Sequence, residues 1–228
     1  MKRVLYQIII AIVGIMLAGT PVAADNFFGK MFGHRIKGSG DMKTETRDVA
    51  EFEKIKLSGS FDVYVQIGEP QSVKVTFDDN LLDIIMTEVH GRTLRIYSDE
   101  SFSSRRDCRV EITVAKLEDV GVSGSGNVEI RDLNGGDFAV AVSGSGDIRA
   151  AGKVDELDIS VSGSGDIDAR DLEAVDAYVT VSGSGDVEVN ASGELSARVS
   201  GSGDIAYYGT PDHISQRVSG SGSIRKKG

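Results

Sequence analysis

Residues 156–189 read ELDISVSGSGDIDARDLEAVDAYVTVSGSGDVEV, and the fold turns on how this stretch is read. Leu157, Ile159 and Val161 alternate with Asp158 and Ser160 before the first Ser-Gly-Ser-Gly-Asp, and Ala177, Val179 and Val181 alternate with Tyr178 and Thr180 before the second. After each run, Ile167 and Ala169 flank Asp168, and Val187 and Val189 flank Glu188. Period-two alternation of this length is the signature of a half-buried strand. A helix is excluded, because glycine at this density and β-branched residues at this spacing both oppose it. Each unit therefore holds two short strands joined by a glycine-rich corner.

The corner recurs. Val-Ser-Gly-Ser-Gly occurs with its valine at positions 122, 142, 161, 181, 199 and 218, at offsets of 20, 19, 20, 18 and 19 residues. Its glycines are Gly124 and Gly126, Gly144 and Gly146, Gly163 and Gly165, Gly183 and Gly185, Gly201 and Gly203, and Gly220 and Gly222. The next residue is Asn127, Asp147, Asp166, Asp186, Asp204 and finally Ser223, followed each time by Val or Ile. A fixed period of this size marks a repeat architecture. Two arrangements fit: an array of antiparallel hairpins, or a parallel β-solenoid whose coils lie ~4.8 Å apart. Identical corners at one period favour the parallel coil, and the general crossover rule makes it right-handed by default. The expected fold is all-β, a single-domain solenoid with coils of about 19 residues. The corner glycines are expected to adopt positive φ and let backbones stack closely, and the aspartates to cap the turn through their side chains.

Outward from the repeats the pattern loosens. Strands are predicted over 52–57, 61–67, 72–77, 93–98 and 110–114, with turns at 68–71 and 90–92 and one helical turn at 79–83. Leu57-Ser58-Gly59-Ser60-Phe61-Asp62 reads as a worn corner, and 98–106 as a polar loop. At the start, Lys2 and Arg3 precede an uncharged apolar run from Val4 to Ala18, and Val22-Ala23-Ala24 supplies small residues for cleavage. This is the pattern of an export signal, and the run is shorter than the ~20 residues of a membrane-spanning helix. The expected divisions are a signal peptide at 1–24, a flexible leader at 25–46 and a β-helical domain at 47–228. The domain comprises irregular coils over 47–115 and the regular repeats over 116–228.

Composition narrows the partners. The net charge is −10, and −12 once Lys2 and Arg3 leave with the signal. A chain this acidic repels phosphate backbones, so nucleic acid is not an expected partner. The only cysteine is Cys108, so no internal disulfide can form. An exported protein of this kind must hold together through its corners and core alone. No membrane span is expected after signal cleavage.

Two blocks carry a family resemblance. The first runs from Phe52-Glu53-Lys54-Ile55 through Ser58-Gly59-Ser60-Phe61-Asp62-Val63 to Asp79-Asn80-Leu81-Leu82 and Gly91-Arg92-Thr93-Leu94-Arg95-Ile96. The second is the corner series, closing with Tyr208-Gly209-Thr210-Pro211 and Ser219-Gly220-Ser221-Gly222-Ser223-Ile224. Together they resemble the auto-transporter adhesin, head GIN domain family over roughly residues 47–228. The resemblance implies an exported, adhesin-like β-helical protein of a bacterial envelope, and it supplies no catalytic or ligand residues.

The residues offer several candidate sites. Asp147, Asp166, Asp186 and Asp204 would stack in a parallel coil, where neighbouring carboxylates repel by ~0.9 kcal/mol in water and a hard divalent cation would relieve them. Solvated turn caps are the favoured reading, since the Gly-Gly-x-Gly-x-Asp pattern of calcium-binding solenoids is missing. His34, His90 and His213 sit in no nucleophile motif. Cys108 lies between arginines but reads as an ordinary structural cysteine. Arg225-Lys226-Lys227 would blunt the last open edge. No cofactor and no catalytic residue is expected. The outward positions beside the corner form the candidate binding face, with Ser160, Thr180, Arg198 and Arg217 in one column and Tyr178 in the next. Tyr208 is added as a second ring for stacking on a sugar.

The expected function is a non-enzymatic binding or adhesion module, periplasmic or at the cell surface, with an envelope glycan or an envelope or membrane protein as partner. The alternatives are a periplasmic structural or regulatory scaffold contacting a membrane protein, and a polysaccharide-cleaving β-helix enzyme. Unbroken repeats speak against the enzyme, because an active site interrupts a repeat locally.

Overall fold

The computed structural model describes residues 35–227. The signal expected at 1–24 lies outside these residues, as do His34 and most of the leader. Arg35 and Ile36 belong to a separate N-terminal unit, and the second unit begins at Lys37.

Every pairing between repeats is parallel, and the strands preceding the corners run in register, which rejects the hairpin array and establishes stacked coils. Strands preceding a corner form one sheet, in the order Thr93–Ser98, Lys54–Ser58, Asp119–Val122, Asp137–Val142, 156–161, 176–181, Glu194–Val199 and His213–Val218. Strands following a corner form a second sheet, in the order Arg109–Val114, Asp62–Ile67, 128–131, 148–150, 167–169, 187–190, Ile205–Tyr208 and Ile224–Lys226. The alternating aliphatic residues fill the space between the sheets. Ile159, Val161, Ile167, Ala169, Val179 and Val181 are all buried.

Spatial order departs from chain order at one place. The coil formed by 54–67 is the first along the sequence, yet it lies between the coil of 93–114 and the first true repeat. Beyond the 93–114 coil the stack is closed by antiparallel strands. Ile85–His90 pairs with Thr93–Ser98, and Met42–Arg47 pairs with Ser72–Asp78, which itself pairs antiparallel with Arg109–Val114. The segment expected as a loose leader thus contributes a paired strand at 42–47. The strand Ile85–His90 was not anticipated, because its residues lack strict alternation. The helical turn read at 79–83 is a 3-10 turn over Asp79–Ile84.

The corners explain the glycines. A Cβ at residue 163 would stand 2.0 Å from the carbonyl oxygen of Gly144, and one at residue 183 would stand 2.0 Å from that of Gly163. The first glycine of each corner lies directly on the first glycine of the coil before it, too close for any side chain. Positive φ is not the reason: among corner glycines of the repeats only Gly220 adopts it, at 143°. The expectation of left-handed corners is therefore corrected to one of close backbone approach. Backbone hydrogen bonds run straight through the corner, as in Ser164 N–H to Gly144 C=O (2.9 Å) and Ser184 N–H to Gly163 C=O (2.9 Å).

The worn corner is part of this stack. A Cβ at residue 124 would lie 2.2 Å from Gly59 O, and the hydroxyls of Ser58 and Ser123 share a hydrogen bond of 2.7 Å. Phe61 occupies the place of the second glycine. Its ring packs against Phe77 (5.2 Å between centroids) and Phe102 (6.4 Å), filling a cap that has no repeat corner to stack.

Variation in repeat length is absorbed away from the corner. Register shifts fall between Ile130 and Leu133, between Arg149 and Ala151, and between Ala169 and Glu173. These bends lie after the post-corner strand, where exposed residues such as Arg131, Asp132, Arg170 and Asp171 take up the extra length while Leu133 and Leu172 stay buried. Gly163→Ala is expected to destabilise the fold by about 3 kcal/mol, since the new methyl group must push two backbones apart. Ser164→Ala, one residue on, should cost under about 0.5 kcal/mol as a surface change. Urea unfolding of both variants checks the contrast.

Candidate binding face and the aspartate ladder

The stacked aspartates make a hydrogen-bonded ladder. Asp147 Oδ1 accepts the backbone N–H of Asp166 (2.9 Å), Asp166 Oδ1 that of Asp186 (2.7 Å), and Asp186 Oδ1 that of Asp204 (2.8 Å). Asp204 continues the series to Ser223, and Asn127 and Asp62 extend it the other way. Each aspartate also receives, on its own carbonyl, the N–H that opens the preceding coil's second strand, as in Ile148 N–H to Asp166 C=O (2.9 Å). The side chain thus caps the next coil's corner rather than its own, which corrects the expected local cap. Among the described residues, no group of three His, Cys, Asp or Glu side chains converges as a metal site requires.

The outward columns assemble in the pre-corner sheet. Ala141, Ser160, Thr180, Arg198 and Arg217 are register partners in succession, and Ala139, Asp158, Tyr178, Ser196 and Ser215 form the adjacent column. Tyr208 does not join them. It lies on the second sheet beside Asn190, and its hydroxyl donates to Glu188 (3.4 Å).

A third column escaped the sequence reading. Asp137, Glu156, Asp176 and Glu194 line up five residues before each corner valine, and Asp176 Oδ1 accepts the Glu194 N–H at 2.7 Å. The fixed offset was a usable signal, but attention to the two columns nearest the corner hid it. Among the described residues, none of Asp137, Glu156, Asp158, Asp176 and Glu194 has a cationic side chain within 4.0 Å. Tyr178 stands half-buried in their midst. The neighbouring carboxylates, Glu194 foremost, together with partial burial, hold its phenol above the usual range.

The second sheet's outer face has the opposite character. Arg149 pairs with Asp171 (3.0 Å), and Arg170 bridges Asp168 (2.8 Å) and Glu188 (3.0 Å), which also takes Lys227 (3.1 Å). Hydrogen bonding to Asp168 raises the Arg170 pKa further. Charges on that face are already paired with one another, leaving little to offer a ligand. The pre-corner face instead grades from an ion-paired start at Lys56–Asp119 (2.6 Å), through small residues, to unpaired carboxylates around Tyr178 and then to Arg198 and Arg217.

Two other candidates resolve as structural. Asp78 is buried in the cap and accepts from Gly40 N–H (2.6 Å) and Ser104 Oγ (2.5 Å), tying three segments together. Burial works against its charge, but these bonds and Arg106 outweigh it and hold the carboxyl below its usual range. Burial pushes the Cys108 thiol up, away from thiolate reactivity. Arg225 and Lys226 form part of the strand Ile224–Lys226, and Arg225 and Lys227 reach back to Asp204 (2.8 Å) and Glu188 (3.1 Å). The tail expected to blunt the last open edge thus sets basic residues on the outermost post-corner strand among the described residues.

Corner-stacked parallel coils define the protein as a β-solenoid. The model of the family described as "Putative auto-transporter adhesin, head GIN domain" matches residues 51–211, and the chain belongs to that family. A crystal structure described as a putative adhesin from Bacteroides fragilis is similar at 25% identity and a TM-score of 0.69, covering 84% of this chain and 100% of that one. One described as a putative lipid binding protein from Parabacteroides distasonis is similar at 28% identity and a TM-score of 0.53, covering 86% and 100%. A putative adhesin from Parabacteroides distasonis, at 23% identity and a TM-score of 0.60, shares the fold over 85% and 100%. No curated protein matches the chain. Among the described residues no helix is long and apolar enough to cross a membrane.

The ladder sets two expectations. Asp166→Ala leaves the Asp186 N–H without its partner and should cost about 1 kcal/mol, while Asp166→Asn should cost much less, because Asn127 already serves in that place. Denaturant titration separates them. At the far end, the Ser223 hydroxyl and amide and Arg225 hold the Asp204 carboxyl below its usual range. A depressed folded-state pKa stabilises docking fully above the unfolded value of about 3.9 and is lost as pH falls through the lower folded value. Protection factors of the amides of residues 223–227 should therefore fall below about pH 4 and hold constant between about pH 5 and 8.

Proposed function

We propose that this protein is a non-enzymatic, exported binding module of the bacterial cell envelope, and that the pre-corner face is its binding surface. One observation carries the reading: on this face a row of carboxylates without cationic partners among the described residues surrounds a half-buried tyrosine. Carboxylates without cationic partners are strong hydrogen-bond acceptors, and a tyrosine ring set among them can stack on an apolar sugar face. Repetition at coil spacing suits a ligand that is itself a repeating polymer, so an envelope glycan is the partner that fits. The family's adhesin-like character and the export signal read at the N-terminus support the location.

A protein contact is the second reading, favoured by Arg198 and Arg217, which have no carboxylate partner among the described residues and lie toward the His213–Val218 end of the same face. In that case the protein acts as a scaffold on a membrane protein.

Retention on immobilised envelope glycans tests the first reading. Tyr178→Ala should weaken it by about tenfold, as loss of a central aromatic contact does, and Tyr208→Ala, on the other sheet, should leave it unchanged. Equal retention of the Tyr178 variant sinks the glycan reading. Co-purification of a membrane protein, lost with Arg198→Ala but kept with Tyr178→Ala, establishes the scaffold in its place.

A further inference from the structure

The two ends of the stack are built differently. At the N-terminal end the closing strand Met42–Arg47 sets Lys43, Glu45 and Arg47 opposite Phe77, Val75 and Val73, on the core-facing side. These charges pair among themselves (Lys43–Glu45 2.9 Å, Arg47–Glu45 3.6 Å), and Arg47 donates to Leu82 C=O (2.7 Å). Inward-pointing charges on an edge strand prevent a further strand from adding. That end is sealed.

The opposite end carries no such device. The strand His213–Val218 continues the sheet in register with Glu194–Val199, so Ile214 and Val218 stand at the positions filled by Leu195 and Val199 one coil earlier. Leu195 and Val199 are fully buried, whereas Ile214 and Val218 are 47% and 45% exposed, because no coil lies on them among the described residues. The backbone is equally unfinished. His213 N–H and Ser219 N–H bond to the preceding coil (3.0 and 2.8 Å), so the alternation along the strand turns the N–H groups of Ile214, Gln216 and Val218 toward the free edge.

Charge indicates what completes it. The chain is strongly acidic overall, yet Arg217 lies on the outer face of this edge strand and Arg198 on the coil behind it, both without carboxylate partners among the described residues. Two such ends facing each other would oppose arginine to arginine, which does not suit pairing of two such edges. We propose that the edge of His213–Val218 is a strand-addition site for an extended acidic segment of a partner protein, whose apolar residues cover Ile214 and Val218 while its alternate carboxylates meet Arg217 and Arg198. Main-chain hydrogen bonds supply affinity in this mode and alternate side chains supply selectivity. This site is separate from the outward face, and its failure would leave the binding-face reading standing.

The test titrates the chain against a synthetic peptide alternating valine with glutamate, followed by fluorescence anisotropy, with a valine–lysine peptide as counterpart. Saturable binding of the glutamate peptide alone is expected, weakened at least about tenfold by Arg217→Glu. Gln216→Pro removes one free edge N–H and should weaken binding similarly while leaving the thermal melt in place. Should Gln216→Pro fail to fold, Arg217→Glu still decides the matter. No saturable binding, equal binding of the lysine peptide, or unchanged binding by Arg217→Glu overturns the proposal. Sedimentation showing dimers or filaments through this edge overturns it as well.

Discussion

Stacking at the glycine corner brings the backbone of each coil to within a contact distance that no side chain survives, and the rest of the solenoid is organised around that approach. With Gly144, Gly163 and Gly183 laid one on another, the serine N–H groups between them find the carbonyls of the coil before, and the aspartate that follows is delivered to the next coil's amide. The ladder replaces a backbone acceptor with a carboxylate at the one point where the chain turns between sheets. It also explains why Asn127 and Ser223 suffice in that place: Asn127 still offers an amide oxygen to Asp147, and Ser223 gives Asp204 its amide and its hydroxyl.

Because the corner is invariant, length variation must go elsewhere. It collects in the bend after the second strand, where Ala169 and Glu173 shift register and Arg170 and Asp171 between them are exposed. The two outer faces then diverge by chemistry alone. The post-corner face closes its charges into ion pairs such as Arg170 with Asp168 and Glu188, while the pre-corner face leaves a row of carboxylates and Tyr178 free. A scaffold that is nearly identical from coil to coil thereby acquires one surface that is satisfied and one that is not.

The ends show the same economy of means. Inward charges on Met42–Arg47 terminate the post-corner sheet on one side, and on the other His213–Val218 presents an aliphatic edge that no strand covers among the described residues. The first coil of the chain, residues 54–67, is held inside the stack by a later segment, 93–114. The cap therefore assembles from residues distant in sequence, unlike the repeats, which need only their neighbours.

The sequence by itself determined the strands, the corner and the parallel stack, because period-two alternation and a near-constant repeat are local signals that survive without tertiary context. It determined the columns nearest the corner as well, since register follows from a period measured at the valine. Three features were decided only by the tertiary structure. The insertion of 54–67 between later strands depends on which edges are free when the chain returns, and the Met42–Arg47 strand depends on a partner thirty residues away. Tyr208 illustrates the third: its distance from Tyr178 is set by which sheet each strand joins, and proximity in sequence to a shared motif cannot reveal that.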